Sequence, residues 1–377
     1  MTTQKTISPN DGAVVATREV PSNAELDGAV QRAYEAQKSW RKVVLEDRIN
    51  IVNKFLELFE SNKDQFSKEL TEEMGRPICY AGGEIAGFLE RARHMVSIAS
   101  DRLKDVALTE TDKKGFRRWI RREPLGVASM LYQFPYLIQV NALIPAILSG
   151  NSVILKPSPQ TPSPADNMVK LLLEAGLPKD VCQALHLSLE QLDLLVGHPK
   201  VNFVSFTGSV KNGYRVEENA RGAKTGAFKS VNLELGGKDP AYVREDADPK
   251  FAAEEIADGG FFNSGQSCCA VERVYVHEKI YAAFIEELTK VVSAYELGDS
   301  RKQATTLGPV ISKDSARHIR SHIAEALSKG AQGLVEPEKF AALAKTGTAY
   351  VAPEVLVNVN HSMKVMMEET LCVQIAQ

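Results

Sequence analysis

The sequence predicts an α/β protein built on a parallel sheet, and three observations carry that prediction. From about Lys114 onward, short apolar or β-branched runs alternate with helical segments, the pattern of parallel strands joined by crossover helices. These runs are Gly126 to Tyr132, Ser152 to Leu155, Val201 to Phe206 and Arg273 to Val276. The first hundred residues read mainly as helix. Finally, 377 residues with 44% hydrophobic and 25% charged content furnish two or three ordinary globular domains.

Each element follows from its local pattern. Ser22 and Glu25 form a capping-box pattern ahead of Leu26, Val30, Ala33 and Trp40, which share one helix face. A second helix carries Leu45, Ile49, Val52, Phe55 and Phe59, and is expected to run to Gly75, which can turn left-handed just before Pro77. A third covers the eighties and nineties. The run Ser152 to Leu155 ends in Lys156-Pro157, where proline stops strand pairing and leaves the lysine at the strand mouth. Val201 to Phe206 ends in Thr207-Gly208-Ser209 and passes into helix-like Val210 to Ala220. Ligands of open α/β sheets bind beyond the carboxyl ends of the strands, so these ends are where chemistry is sought.

Composition excludes several classes. A formal net charge of -3 leaves no positive excess for a nucleic acid or an anionic membrane surface. The most apolar stretch, Leu137 to Leu155, is interrupted by Gln139, Asn141, Pro145, Gly150 and Asn151, and reads as buried core rather than as a bilayer span. The amino terminus is polar, with no signal-like apolar segment, so a cytoplasmic protein is expected. Cysteines at 79, 182, 268, 269 and 372 form no Cys-x-x-Cys pair and have no histidine at zinc-ligand spacing. Neither a disulfide framework nor a metal site is expected, and the seven scattered histidines receive no role.

Two segments carry chemistry. Phe261-Phe262-Asn263-Ser264-Gly265-Gln266-Ser267-Cys268-Cys269-Ala270 follows a helical segment, and its glycine permits a sharp turn that presents a thiol to a cleft. Buried structural cysteines are the alternative. Upstream, Glu234 interrupts the strand-like run Val231 to Leu235. Burial would raise its pKa towards that of a general base, whereas a solvent-facing strand residue needs no such explanation.

Together these segments resemble the paired active-site signatures of aldehyde dehydrogenases, Glu-Leu-Gly-Gly-Lys followed by Gly-Gln-x-Cys in the family's order and spacing. The resemblance runs from Ile7 to Glu369 and includes Arg121 to Gly126, Asn151 to Pro157, Phe206 to Ser209 and Glu368-Glu369. It implies a parallel-sheet dinucleotide-binding domain over 1–112 and 123–233, a bridging oligomerisation β segment at 113–122, and an α/β catalytic domain from 234 to 377. It also implies oxidation of an aldehyde to a carboxylic acid. Cys268 attacks the aldehyde carbon through a thiolate of lowered pKa, or one whose proton a base removes, and passes through a thiohemiacetal to a thioester. Glu234 activates the hydrolytic water. The cofactor is NAD or NADP: Lys156 reaches the adenosine ribose, Ser209 at a helix start meets the pyrophosphate, Glu369 holds the nicotinamide ribose, and Gly208 and Leu235 complete the set. Pro159 stands where NAD-preferring members have a glutamate, and Ser158 is a contact for a 2'-phosphate.

Two departures from the family pattern matter. Leu131-Tyr132-Gln133-Phe134-Pro135 stands where the family has Pro-Trp-Asn-Phe/Tyr-Pro, so the amide expected to hold the oxyanion is Gln133, one methylene longer. A misplacement of about 1 Å costs on the order of a hundredfold in rate, so slower turnover is expected. The chain ends at Gln377, where the family pattern continues for on the order of a hundred residues. The resemblance therefore implies a catalytic domain incomplete at its carboxyl end, lowered stability, and a missing strand in the interface of the family's homodimer or homotetramer. Two competing readings are a catalytically weak binding or structural derivative and the coenzyme A-acylating branch, whose members generally lack the glutamate.

Overall fold

A computed structural model describes residues 2–108, 114–132, 135–222, 228–370 and 373–375. The chain forms two compact units. The first comprises Met1–Thr6, Ala16–Phe66 and Gly83–Glu234; the second comprises Ile7–Val15, Ser67–Gly82 and Leu235–Gln377.

Among the described residues, the first unit holds a five-stranded sheet ordered Cys182–Ala184, Ser152–Lys156, Val127–Tyr132, Val201–Gly208, Ser230–Leu235. The central Val127–Tyr132 strand pairs parallel with both neighbours, and Ser152–Lys156 pairs parallel with Cys182–Ala184. Both Val127–Tyr132 and Ser152–Lys156 are buried throughout, which is why they read as mainly apolar runs without a polar alternation. The stretch beginning at Leu137 is core, as expected: helix Tyr136–Leu148 leads into the Ser152–Lys156 strand. Asn151 Oδ1 ties that junction to the start of the neighbouring Val127–Tyr132 strand by accepting the N–H groups of Leu125 (2.7 Å) and Gly126 (3.1 Å).

Helix Asn23–Trp40 starts at the predicted Ser22–Glu25 capping box and buries Leu26, Val30, Ala33 and Trp40. The Trp40 indole donates to the Ile147 carbonyl at 3.2 Å. The second predicted helix is two helices, Leu45–Ser61 and Lys63–Met74. Asn62 breaks it because its side-chain amide donates to the Leu58 carbonyl (2.8 Å) and its backbone N–H turns to Phe59, local bonds that compete with helix continuation. Gly75, at φ 80°, stops the second helix in the left-handed conformation expected of it. Helix Ile78–Leu103 covers the eighties and nineties. Phe59 stacks on Phe88 at 4.2 Å and Phe66 on Tyr136 at 5.3 Å, contacts worth about 0.5–1.5 kcal/mol each beyond their buried area. The Val106–Ala107 and Trp119–Ile120 strands pair antiparallel, with Trp119 and Ile120 exposed.

The second unit pairs Asp239–Val243 in parallel with Val271–Val276, and holds a sheet of Gln332–Gly333, Glu354–Val357 and Val373–Ile375. Helices Pro249–Phe261 and Tyr281–Ser293 bury Ala253, Ala257, Phe284 and Leu288 in one core with Val274 and Val355. Asp248 caps the first of these helices by accepting the Phe251 N–H at 2.8 Å. Among the described residues, no helix is long and apolar enough to cross a membrane.

Candidate active site

In the first unit, the sheet register decides where the predicted cofactor residues emerge. Leu131 lies opposite both Lys156 and Phe206, and Tyr132 opposite Thr207, so Lys156 and the Gly208-Ser209 turn leave the same carboxyl edge of the sheet. Lys156 is only 9% exposed, and burial lowers its ammonium to about 8. Its side chain has no hydrogen-bond or ion-pair partner among the described residues. An unpaired, buried ammonium fits a ligand with hydroxyl or phosphate oxygens. Ser209 caps helix Val210–Gly222 by accepting the Asn212 N–H at 3.4 Å, so the positive end of that helix also opens onto this edge. Ser158 is partly exposed, and its hydroxyl accepts the Gln160 N–H at 3.2 Å.

Glu234 departs from its predicted environment. The strand Ser230–Leu235 alternates between exposed and partly buried positions, and Glu234 falls on the exposed face while Leu235 turns inward. The strand's period of two, not the acidity of the residue, decides that placement, and burial of this carboxylate is not observed. Gln133 lies outside the described residues.

The thiol belongs to the second unit and is set by a strained turn. Helix Pro249–Phe261 gives way to three consecutive left-handed residues, Asn263 (φ 54°), Ser264 (φ 58°) and Gly265 (φ 71°), the first two of which are not glycine. Such residues cost on the order of 1–3 kcal/mol each and persist only when the surroundings over-determine them. Here Ser264 Oγ donates to the Gly308 carbonyl and accepts the Gly308 N–H, both at 3.0 Å. Gln266 Oε1 accepts the Ile311 N–H at 2.7 Å, while its amide donates to the Asn263 carbonyl at 3.2 Å. Cys268 and Cys269 follow, both exposed and both free. The glycine-permitted turn is thus present, and the alternative of two buried cysteines is not.

The Cys268 thiol is raised rather than lowered as a thiol, contrary to one half of the expectation. Partial burial of its sulfur is the largest cause, followed by the neighbouring Cys269, with the Glu369 carboxylate also contributing. None of the leading influences on this thiol is a cation, the environment that would lower it.

Glu369 lies against the Gly236-Gly237 turn of the same unit. Its carboxylate accepts the Gly237 N–H, and a Cβ at Gly236 would overlap it. Burial raises its pKa, and nearby Glu272 adds to the rise. Glu272 itself is buried, with its Oε2 on Lys238 Nζ (2.5 Å) and on the Thr370 N–H (2.7 Å). Glu272 was missed from sequence, because the strand expected to begin at Arg273 begins at Val271 and so takes in this carboxylate.

Comparison with known proteins places the chain in a family. The sequence model of the aldehyde dehydrogenase family matches residues 1–372. A 3-sulfolactaldehyde dehydrogenase of Pseudomonas putida is 32% identical over 350 residues, which are 92% of this chain and 70% of that protein. A D-glyceraldehyde dehydrogenase (NADP(+)) of Picrophilus torridus is 31% identical over 371 residues, 97% of this chain and 74% of the relative. The solved structure of an NADP-dependent glyceraldehyde-3-phosphate dehydrogenase from Bacillus halodurans, complexed with NADP, superposes with a TM-score of 0.91 at 30% identity, covering 100% of this chain and 77% of that one. These matches define an NAD(P)-dependent oxidoreductase. The chain belongs to the aldehyde dehydrogenase family.

Proposed function

We propose that this protein oxidises an aldehyde to the free carboxylic acid, with Cys268 as nucleophile and Glu234 as the base for hydrolysis. The observation that carries the reading is the exposed Cys268 thiol at the end of an over-determined left-handed turn. Once deprotonated, Cys268 adds to the aldehyde carbon, and the oxyanion is held by the Cys268 N–H and the Gln133 amide. Departure of hydride turns the thiohemiacetal into a thioester. The dinucleotide, when bound, supplies the hydride acceptor. Glu234 then takes a proton from water, which adds to the thioester carbon, and the acid leaves as the Cys268 thiolate departs.

The first unit is the dinucleotide-binding domain in this reading and the second the catalytic domain. Lys156, Ser158, Gly208 and Ser209 hold the adenosine and pyrophosphate end, with Leu235 and Glu369 at the nicotinamide end. Pro159 places no carboxylate against a 2'-phosphate, and the relatives named for NADP support its use here, with NAD the alternative. The exposed Trp119 and Ile120 support a role for the 113–122 segment in assembly of a homo-oligomer, and the lack of a membrane-crossing helix among the described residues is in keeping with a cytoplasmic enzyme.

The test is a panel of small aldehydes assayed for reduced dinucleotide with NADP and with NAD, alongside Cys268→Ser. The variant should lose acid formation by at least about a thousandfold, since serine is a far weaker nucleophile without a dedicated base. Wild-type rates in Cys268→Ser would overturn the assignment.

A further inference from the structure

Glu272 occupies an irregularity in its strand. The Asp239–Val243 and Val271–Val276 strands pair Asp239 with Val271 and then Pro240 with Arg273, so the register passes over Glu272. An extra residue of this kind re-aims its side chain, and such bulges are over-represented beside active sites. The re-aimed carboxylate turns inward, where Glu272 is only 3% exposed, and joins two segments distant in sequence: Lys238, directly after the Gly236-Gly237 turn, and Thr370, directly after Glu369.

The adjoining residue makes the same connection. Arg273 donates to the Lys238 carbonyl through Nε (3.1 Å) and Nη2 (2.8 Å), and through Nη1 to the Met366 carbonyl (3.4 Å). Thr370 is wholly buried, its hydroxyl 2.7 Å from His322 Nδ1 and donating to the Glu368 carbonyl at 3.1 Å. The segment on the carboxyl side of Glu369 is therefore held through the Thr370 N–H and hydroxyl, and the Glu369 carboxylate itself accepts the Gly237 N–H.

Stability is a poor explanation for this arrangement. Burial opposes ionisation of both partners: it is the largest influence on each, raising Glu272 and lowering Lys238, and their mutual attraction only offsets it. Buried pairs with this balance contribute little net stability compared with apolar residues of the same volume. We infer that Glu272 is a positioning residue that holds the Glu369 carboxylate at the nicotinamide-ribose end of the dinucleotide site, acting through Lys238 and the Thr370 N–H. This rests on the assignment of Glu369 to that ribose.

A double-mutant cycle on the full chain tests it, with the dissociation constant of NADP+ measured by fluorescence titration in the absence of aldehyde. Glu369→Gln and Glu272→Gln should each weaken binding about tenfold, and the double variant should bind no worse than Glu369→Gln alone, within twofold. Independent, multiplicative effects would overturn the inference, as would unchanged binding in Glu272→Gln when Glu369→Gln is weakened. If Glu369→Gln itself binds normally, the ribose assignment falls and the inference with it. Should Glu272→Gln fail to fold because it strands the Lys238 charge, Lys238→Met/Glu272→Leu keeps the charge balance while removing the acceptor for Thr370. That variant should melt near the parent temperature and still bind about tenfold more weakly; parental affinity would overturn the inference.

Discussion

The sheet edge of the first unit and the thiol-bearing turn of the second are shaped by different routes. Lys156 and Ser209 stand where they do because regular strands end in step and a regular helix begins. Cys268 and Glu369 are set by exceptions: two non-glycine left-handed residues, a passed-over strand position and a buried ion pair. Regularity positions this edge without backbone strain, the cost falling instead on the buried Lys156 ammonium. Aiming a nucleophile out of a helix end instead requires strain held by specific hydrogen bonds. Substitution should therefore perturb the two regions differently.

After Cys268→Ser, the largest expected effect belongs to Glu234, the residue of the sheet unit proposed to take a step in the chemistry. Glu234→Gln should lower steady-state acid formation by about two to four orders of magnitude, the usual contribution of a general base. It should leave a first-turnover burst of reduced dinucleotide, with an acyl adduct on Cys268 visible by mass spectrometry of the trapped protein. A lost burst would mean that Glu234 acts before the thioester forms, and an unchanged steady state would remove it from the reaction.

A smaller effect probes the strained side directly. Ser264→Ala withdraws one hydroxyl from both the Gly308 N–H and the Gly308 carbonyl, leaving buried polar groups unmatched at a cost of about 1–3 kcal/mol. Ser264→Gly loses the same bonds but relieves the left-handed backbone, so it should be the milder of the two. Denaturant midpoints check the order, with the alkylation rate of Cys268 read in parallel. Alanine milder than glycine would show that φ at this position carries no strain.

The same division decided what could be read without coordinates. The capping box at Ser22, the left-handed stop at Gly75 and the strands ending in Lys156 and Gly208 were legible because local propensity and periodicity specify them. The break at Asn62 was hidden, since a side chain that ends a helix by bonding back to Leu58 looks, in sequence, like one more polar position on a solvent face. Glu234 and Glu272 show the limit more sharply. Both are acidic residues in strands; one is exposed on an alternating strand, and the other is buried with partners, Lys238 and the Thr370 N–H, from segments 34 and 98 residues away. Chemical type marks a residue as unusual, but only the tertiary neighbours decide whether it is solvated or paired.

Lys156 provides the smallest and most diagnostic change, because two observables must move in opposite directions. Its pKa lies at about 8 in the fold, against an ordinary lysine value near 10.4, so the folded chain binds fewer protons than the unfolded chain between those limits. Fold stability from this group is therefore absent below about pH 8 and grows as pH rises towards the unfolded value. Affinity for the dinucleotide runs the other way: above pH 8 the ammonium is lost, and with it the charge and one donor facing the ligand's oxygens. NADP+ binding should weaken by up to about tenfold between pH 7 and pH 9, the factor for one proton lost over one unit above 8. Lys156→Met should flatten that profile, bind more weakly at pH 7, and abolish its share of the rise in melting temperature with pH. If the variant keeps the parental pH profile of binding, the ammonium does not face the ligand, and the sheet edge owes its affinity to the Ser209 helix end instead.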